Sequence, residues 1–364
     1  MAALLPDWNL TLVQAPEARA MLPRRNGQVD WGGVRVAHLD TGFTEHPGFG
    51  YRPGETPWLL PELGLNVLAP GVPRDPLDYE GNPGHGTRTC SILCGDAVRM
   101  PGEGEIGSPV GVAPRLPVVP CRVVTSVVLH GEERRLAVAR GIRHAIAQGC
   151  DAVSISLGIP SFPIWALGEM GQAVDEAYEA GLIVVAAGGQ IVDSVCYPAK
   201  FNRTIGVGGI TAARRIWFDY DAGKDEIDVW APASEVLRLD SLAPAGAVTL
   251  PPSQGEDPGG SSLSSGSHGG FAGKGAGTSY ATVHVAAAAA MWPLARGRDL
   301  DAAYGERWQR IEAFRRLLRE TAGPLAGPQP SNGTGILRIA ALLRADLPHP
   351  DLLRRSTEDR RKRH

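Results

Sequence analysis

Gly275-Ala-Gly-Thr-Ser-Tyr-Ala-Thr-Val-His-Val-Ala-Ala-Ala-Ala-Ala-Met291 is the stretch that decides how this chain is read. Two glycines and a threonine precede its serine, and the alanine run behind it has high helix propensity. Gly277 and Thr278 stand where a chain turns into a first helical turn, so Ser279 is expected at a helix N-terminus. Unpaired backbone N–H groups and the positive end of the helix dipole favour developing negative charge there. Serine is also a preferred N-cap, so this stretch alone allows a capping role or a chemical one. The upstream sequence separates the two.

Upstream, Val34-Arg-Val-Ala-His-Leu39 reads as a buried strand that stops at Asp40-Thr-Gly42. A carboxylate at the C-terminal end of such a strand is where α/β folds place functional groups. The proline- and glycine-rich run 43–84 reads as loop. Gly84-His-Gly-Thr87 then enters a short helix that ends at Cys94, and the glycines beside His85 allow close backbone approach. The segment 116–124 contains Pro117 and Pro120, which predicts an irregular or edge strand. An amphipathic helix over 133–148, a strand over 151–157, a helix over 169–180 and strands over 182–187, 204–210 and 228–232 follow. This alternation predicts an α/β fold: a mostly parallel, twisted sheet with helices on both faces. Residues 8–28 read as chain lying along a surface, and 310–321 and 336–343 as helical.

Composition narrows the function. The 364 residues are 43% hydrophobic and 21% charged with a net charge of −3, an ordinary globular balance that offers nothing to a nucleic acid. The basic end 360–364 reads as a solvated tail. No run approaches the ~18 apolar residues of a membrane span. The first ten residues lack the pattern of a secretory leader, and five scattered cysteines are expected reduced. A cytoplasmic location follows as the expectation, with secretion the alternative if a leader and pro-domain were removed. His85, Cys90 and Cys94 match no common metal-ligand spacing, so no metal site is assigned.

Asp40, His85 and Ser279 now stand at corresponding places, each at the end of a strand or the start of a helix. Serine needs a neighbouring base to become nucleophilic, histidine titrates near neutrality, and a buried carboxylate orients the imidazole. Asp40-Thr-Gly, His85-Gly-Thr and Gly277-Thr-Ser-Tyr-Ala resemble the three signature blocks of the subtilisin-like serine proteases. Ser156-Leu-Gly158 resembles that family's substrate-binding strand, and Val184-Val-Ala-Ala-Gly188 the strand that leads to its oxyanion hole. The likeness runs from about Trp8 to Leu343. It implies a three-layer subtilisin-like fold and peptide hydrolysis through an acyl-enzyme, with Ser279 as nucleophile, His85 as acid and base, and Asp40 as its partner. It implies one oxyanion donor from the backbone N–H of Ser279, and an extended peptide paired to Ser156, Leu157 and Gly158 beside Ala187 and Gly188. The resemblance is nearest to intracellular members that lack a pro-domain, and Leu4-Leu5-Pro6 is a candidate inhibitory stretch.

The departures from the family are equally specific. Where the family has Ala-Gly-Asn this chain has Ala187-Gly188-Gly189, with Gln190 one residue late. Gln190 as a longer donor, a backbone N–H near Gly189, and slow turnover are the three consequences left open. A weak or inactive peptide-binding scaffold is the alternative function. Cys196 stands at the floor of the main specificity pocket where glycine is common, which predicts a small residue on the acyl side of the cut; Asp193 would instead favour a basic one. Gly48 replaces a usual calcium-ligating aspartate, and Asp75, Asp78 and Glu80 read as solvated loop charge. No cofactor is expected, structural calcium apart. The expected partner is a protein or peptide substrate, with no nucleic acid and no membrane; a regulatory partner is left open. The chain is read as one catalytic domain over 1–345, with 242–274 a flexible insertion loop and 346–364 a charged tail.

Overall fold

Strand β3 (Val36–Asp40) is buried along its whole length. It carries apolar residues to both faces, as a central parallel strand must. It lies between β7 (Val118–Arg122) and β8 (Ala152–Ile155), parallel to both. The computed structural model describes residues 7–100, 104–160, 168–190, 193–218, 226–241, 272–327, 330 and 334–359. With β4 (Leu65–Asn66), β9 (Ile183–Ala187), β10 (Ile205–Ile210) and β11 (Val229–Pro232), these strands form a seven-stranded sheet in the order β11-β10-β9-β8-β3-β7-β4. Two small hairpins, β1 (Arg24–Arg25) with β2 (Gln28–Val29) and β5 (Val98–Met100) with β6 (Gly104–Ile106), stand apart from it.

Helices cover both faces. Helices α4 (Glu132–Ala147) and α5 (Gly168–Ala180) share a core with Ala37, Leu39, Val153 and Val184 of the sheet. The alternate strand residues Val36, Ala152, Ile183 and Val185 face the other core, with α3 (His85–Cys94) and α6 (Thr278–Ala303). The three-layer α/β arrangement expected from the sequence is the one observed.

Helix α6 runs 26 residues, well past Met291, with Pro293 inside it. Every residue from Tyr280 to Trp292 is buried. A helix apolar all round belongs in an interior. Its alanines leave room for close packing against β8, β9 and β10. Helix α7 (Arg307–Glu320) and helix α8 (Ile339–Arg344) complete this layer.

Several expectations need correction. Strand β7 is not an edge strand, because β4 pairs beyond it. Pro120 is tolerated there because its missing N–H faces the short β4 side, where Val118 bonds Trp58 and Leu60 instead. Residues 8–28 do not merely lie along a surface: α1 (Trp8–Leu12) and α2 (Ala15–Ala20) send Leu10, Val13, Ala15 and Ala18 into the core. Ala272–Gly275 is strand β13, paired antiparallel with β12 (Val236–Leu239), so the end of the supposed loop 242–274 is structured; 242–271 lie outside the described residues. The supposed tail is docked through Asp359, which is buried and accepts from the backbone N–H groups of Asn202 and Arg203. Leu4-Leu5-Pro6 and 360–364 lie outside the described residues.

Candidate active site

Asp40 ends β3 with its carboxylate fully buried. Its Oδ1 accepts from Nδ1–H of His85 at 2.8 Å and from the Thr41 N–H at 2.7 Å. His85 is the first residue of α3, after Gly84 in a left-handed conformation, φ 75°. Gly86 is required: a Cβ there would lie 2.1 Å from the carbonyl oxygen of Gly42. The strand end and the helix start approach backbone to backbone, which the flanking glycines suggested. Burial pushes the Asp40 carboxyl up, but the charge and hydrogen bond of His85, nearby His38 and the Thr41 N–H outweigh it. The net effect holds the group below its ordinary value, and it stays ionised.

Polar groups that sequence reasoning did not assign surround this pair. On the far side of Asp40, His38 Nε2 lies 3.7 Å from Oδ2 and 2.9 Å from the hydroxyl of Thr89, which is itself 3.3 Å from Oδ2. Burial drives the His38 pKa down against the pull of Asp40, so the ring is neutral. Its one sequence signal is a polar residue inside an otherwise apolar strand. Asp75, read as solvated loop charge, is buried. Its Oδ2 accepts from the Thr41 hydroxyl at 2.7 Å, the Gly84 N–H at 2.8 Å and the Tyr79 hydroxyl at 3.2 Å. It thereby clamps the residue after Asp40 to the residue before His85. Burial raises its pKa against those hydrogen bonds. Asp78 and Glu80 are exposed.

Ser279 is the second residue of α6, with its N–H at the open helix start. Its Oγ lies 3.4 Å from the carbonyl oxygen of Ser156, and Ser156 Oγ donates to the carbonyl oxygen of Ser279 at 3.1 Å. Gln190 docks on the same helix start: its Oε1 accepts from the Thr278 N–H at 2.8 Å and the Thr278 hydroxyl at 3.2 Å. Because the backbone N–H can only donate, the oxygen end of the carboxamide faces the helix, and the NH₂ end has no hydrogen-bond partner among the described residues. Gly189 permits this reach with φ 96°.

His85, Ser156, Leu157, Gly158, Ala187, Gly189, Gln190, Cys196 and Ser279 line one cavity of about 210 Å³. Gly188, expected beside the substrate, does not line it: its N–H is bonded to Val207 and its carbonyl to Cys196. Cys196 packs closely against Gly189 and Gly158: a Cβ on Gly189 would lie 2.4 Å from its Sγ, and one on Gly158 3.1 Å from its Cβ. Burial pushes the thiol up to about 11, so it is a neutral wall and not a nucleophile. Asp193 is exposed and does not line this cavity. The cavity also takes in Asn82, Val127 and Val128, which sequence reasoning did not assign. The Ser156–Gly158 edge is open only in part, since the N–H and C=O of Gly158 are already bonded to Val127 and Leu129.

A side chain at the Gly48 position would have to displace Leu239: a Cβ there would lie 2.2 Å from Leu239 Cδ1. Among the described residues, no group of three or more His, Cys, Asp or Glu side chains is arranged to hold a metal ion. Cys90 and Cys94 are buried with their sulfurs 3.7 Å apart, and all five cysteines are free thiols.

Comparison with known proteins places the chain in one family and fold. Residues 32–336 match the sequence model of the Subtilase family. Subtilisin BL of Lederbergia lenta is 30% identical over 235 residues, 63% of this chain and 72% of its own. The major intracellular serine protease of Bacillus subtilis (strain 168) is 27% identical over 344 residues, 93% of this chain and 88% of its own. The crystal structure of MycP1 with its N-terminal propeptide removed shares the fold, with a TM-score of 0.63 at 20% identity over 94% of this chain and 98% of that one.

Proposed function

The chain belongs to the subtilase family, and from that membership we propose that it is a serine endopeptidase in which Asp40, His85 and Ser279 form the catalytic triad. The observation that carries the reading is the Asp40–His85 hydrogen bond of 2.8 Å opening onto the cavity that holds Ser279. Asp40 holds Nδ1–H and thereby leaves Nε2 of His85 as the base. That nitrogen takes the Ser279 proton as Oγ attacks the peptide carbonyl, then returns it to the leaving amine. The acyl-enzyme that forms is released by water along the same path.

Negative charge on the tetrahedral intermediate faces the Ser279 N–H at the α6 start and the free NH₂ of Gln190. Of the three consequences of Gly189, the docking of Gln190 Oε1 on Thr278 favours the first, a longer side chain serving as donor. The substrate is an extended peptide with its acyl-side N–H at the Ser156 carbonyl, and Cys196 restricts the adjoining side chain to a small one. The chemistry runs on the chain's own groups. No described helix is long and apolar enough to cross a membrane. The buried free thiols, together with the similar major intracellular serine protease, favour action inside the cell.

Labelling by a fluorophosphonate serine probe, with Ser279→Ala as control, tests the reading. Labelled wild type that cleaves an unfolded protein substrate, beside an unlabelled and inert Ser279→Ala, is the expected outcome. Folded wild type that takes no label would sink it.

A further inference from the structure

We propose that Val127–Leu129 is a built-in strand occupying the acyl-side half of the peptide-binding edge, so that substrates are recognised by only two residues before the cut. This rests on the serine-peptidase reading above.

Along an extended segment, residues two apart turn their N–H and C=O groups to the same edge. The Ser156 carbonyl oxygen, 3.4 Å from Ser279 Oγ, faces the substrate residue whose carbonyl is attacked. The next place on that edge is Gly158, flanked by Cys196 at the floor of the acyl-side pocket. Both of its backbone groups are taken. The Gly158 N–H donates to the Val127 carbonyl at 3.0 Å, and the Leu129 N–H donates to the Gly158 carbonyl at 2.9 Å. Val128 lies opposite Gly158 in a parallel bridge.

The strand is also fastened from behind. The Val127 N–H donates to Asn82 Oδ1 at 2.9 Å, and Arg134 Nη1 donates to the Val128 carbonyl at 2.9 Å. Leu129 is fully buried in the core shared with α4 and α5. A third substrate residue that paired with Gly158 would break two backbone hydrogen bonds and draw Leu129 out of that core. Longer acyl chains therefore leave the edge after their second residue and gain nothing from it. The substrate class is peptide read through two acyl-side residues, the one next to the cut being small.

The test uses N-acetylated p-nitroanilides with two, three and four residues and alanine at the cut. Two extra net backbone hydrogen bonds on an open edge would raise kcat/KM by roughly tenfold or more. The wild type is expected to stay within about threefold from two residues to four. Arg134→Ala, which loosens the strand without touching Ser279, His85 or Gln190, is expected to favour the four-residue substrate. A tenfold or greater rise with length in the wild type overturns the proposal. Amide hydrogen exchange on the free protein tests the strand without turnover. The Leu129 and Gly158 amides should exchange at least a hundredfold slower than in an unstructured peptide, and fast exchange overturns the strand outright. Absence of turnover on every substrate would sink the peptidase reading, and the exchange result would then decide the strand alone.

Discussion

Replacing Gln190 by alanine removes a helix cap and the proposed oxyanion donor together, and the two losses have different sizes. The cap is the pair of hydrogen bonds from the Thr278 N–H and hydroxyl to Oε1, at 2.8 and 3.2 Å. Losing a side-chain acceptor at a helix start costs about 1 kcal/mol, or roughly 1–2 °C in Tm for a chain of this size. Losing a preorganised oxyanion donor costs on the order of 10²–10³ in turnover, the magnitude measured for the donor of a subtilisin. Gln190→Ala should thus melt almost like the wild type while kcat falls at least a hundredfold and KM changes little. Gln190→Glu separates the roles. It keeps an acceptor for Thr278 and puts negative charge at a helix N-terminus, which stabilises by roughly 0.3–1 kcal/mol. It also removes the donor and sets like charge against the oxyanion. Its Tm should match or exceed the wild type while its kcat falls below that of Gln190→Ala. Steady-state anilide kinetics and thermal melts on the three proteins decide the matter. A Gln190→Ala enzyme within threefold of wild-type kcat would place the second donor elsewhere and refute the assignment.

Three further predictions follow from the same geometry. Cys196→Gly should deepen the pocket and shift preference at the cut from alanine towards leucine or phenylalanine by about tenfold, read from kcat/KM on matched anilides; unchanged preference would remove Cys196 from the pocket floor. Asp75→Ala strands the Thr41 hydroxyl, the Gly84 N–H and the Tyr79 hydroxyl and should cost about 3 kcal/mol in urea unfolding, with reduced kcat as the Asp40–His85 clamp slackens; an unchanged midpoint would count against it. His284, buried with Nδ1–H on the Tyr280 carbonyl and Nε2 on Asn9, is lowered by burial from 6.5 to about 4. The unfolded chain binds that proton first, so this stability is full above pH 6.5 and is lost as pH falls towards 4. It amounts to about 3 kcal/mol, and His284→Gln should flatten that part of the profile.

Much of the candidate site was legible because its residues are tied to short local patterns. Asp40 ends an apolar run, His85 stands between glycines, and Ser279 stands between a glycine turn and an alanine helix. Each pattern has a local cause: a buried strand needs apolar residues, close backbone approach needs glycine, and a helix needs good helix formers. His38 left a faint trace, one polar residue in a strand of apolar ones. Asp75 left none. A loop carboxylate in a proline-rich run looks the same whether water or three protein donors surround it. The docked end at Asp359 was misread for a similar reason, since charge in sequence says nothing about the backbone N–H groups that meet it in space.

The sequence by itself determined the α/β alternation and the family, and it singled out Asp40, His85 and Ser279 as the candidate catalytic residues, because periodicity and turn chemistry act over a few neighbouring residues. Only the tertiary structure decided which end of the Gln190 carboxamide meets the α6 start and that Asp75 joins the segment after Asp40 to the segment before His85. It alone decided that Val127–Leu129 closes part of the Ser156–Gly158 edge. The Gln190–Thr278, Thr41–Asp75 and Val127–Leu129 to Gly158 bonds join residues about 30 to 90 positions apart. Partners at that distance are selected by which groups burial leaves without water, and no local pattern records that choice.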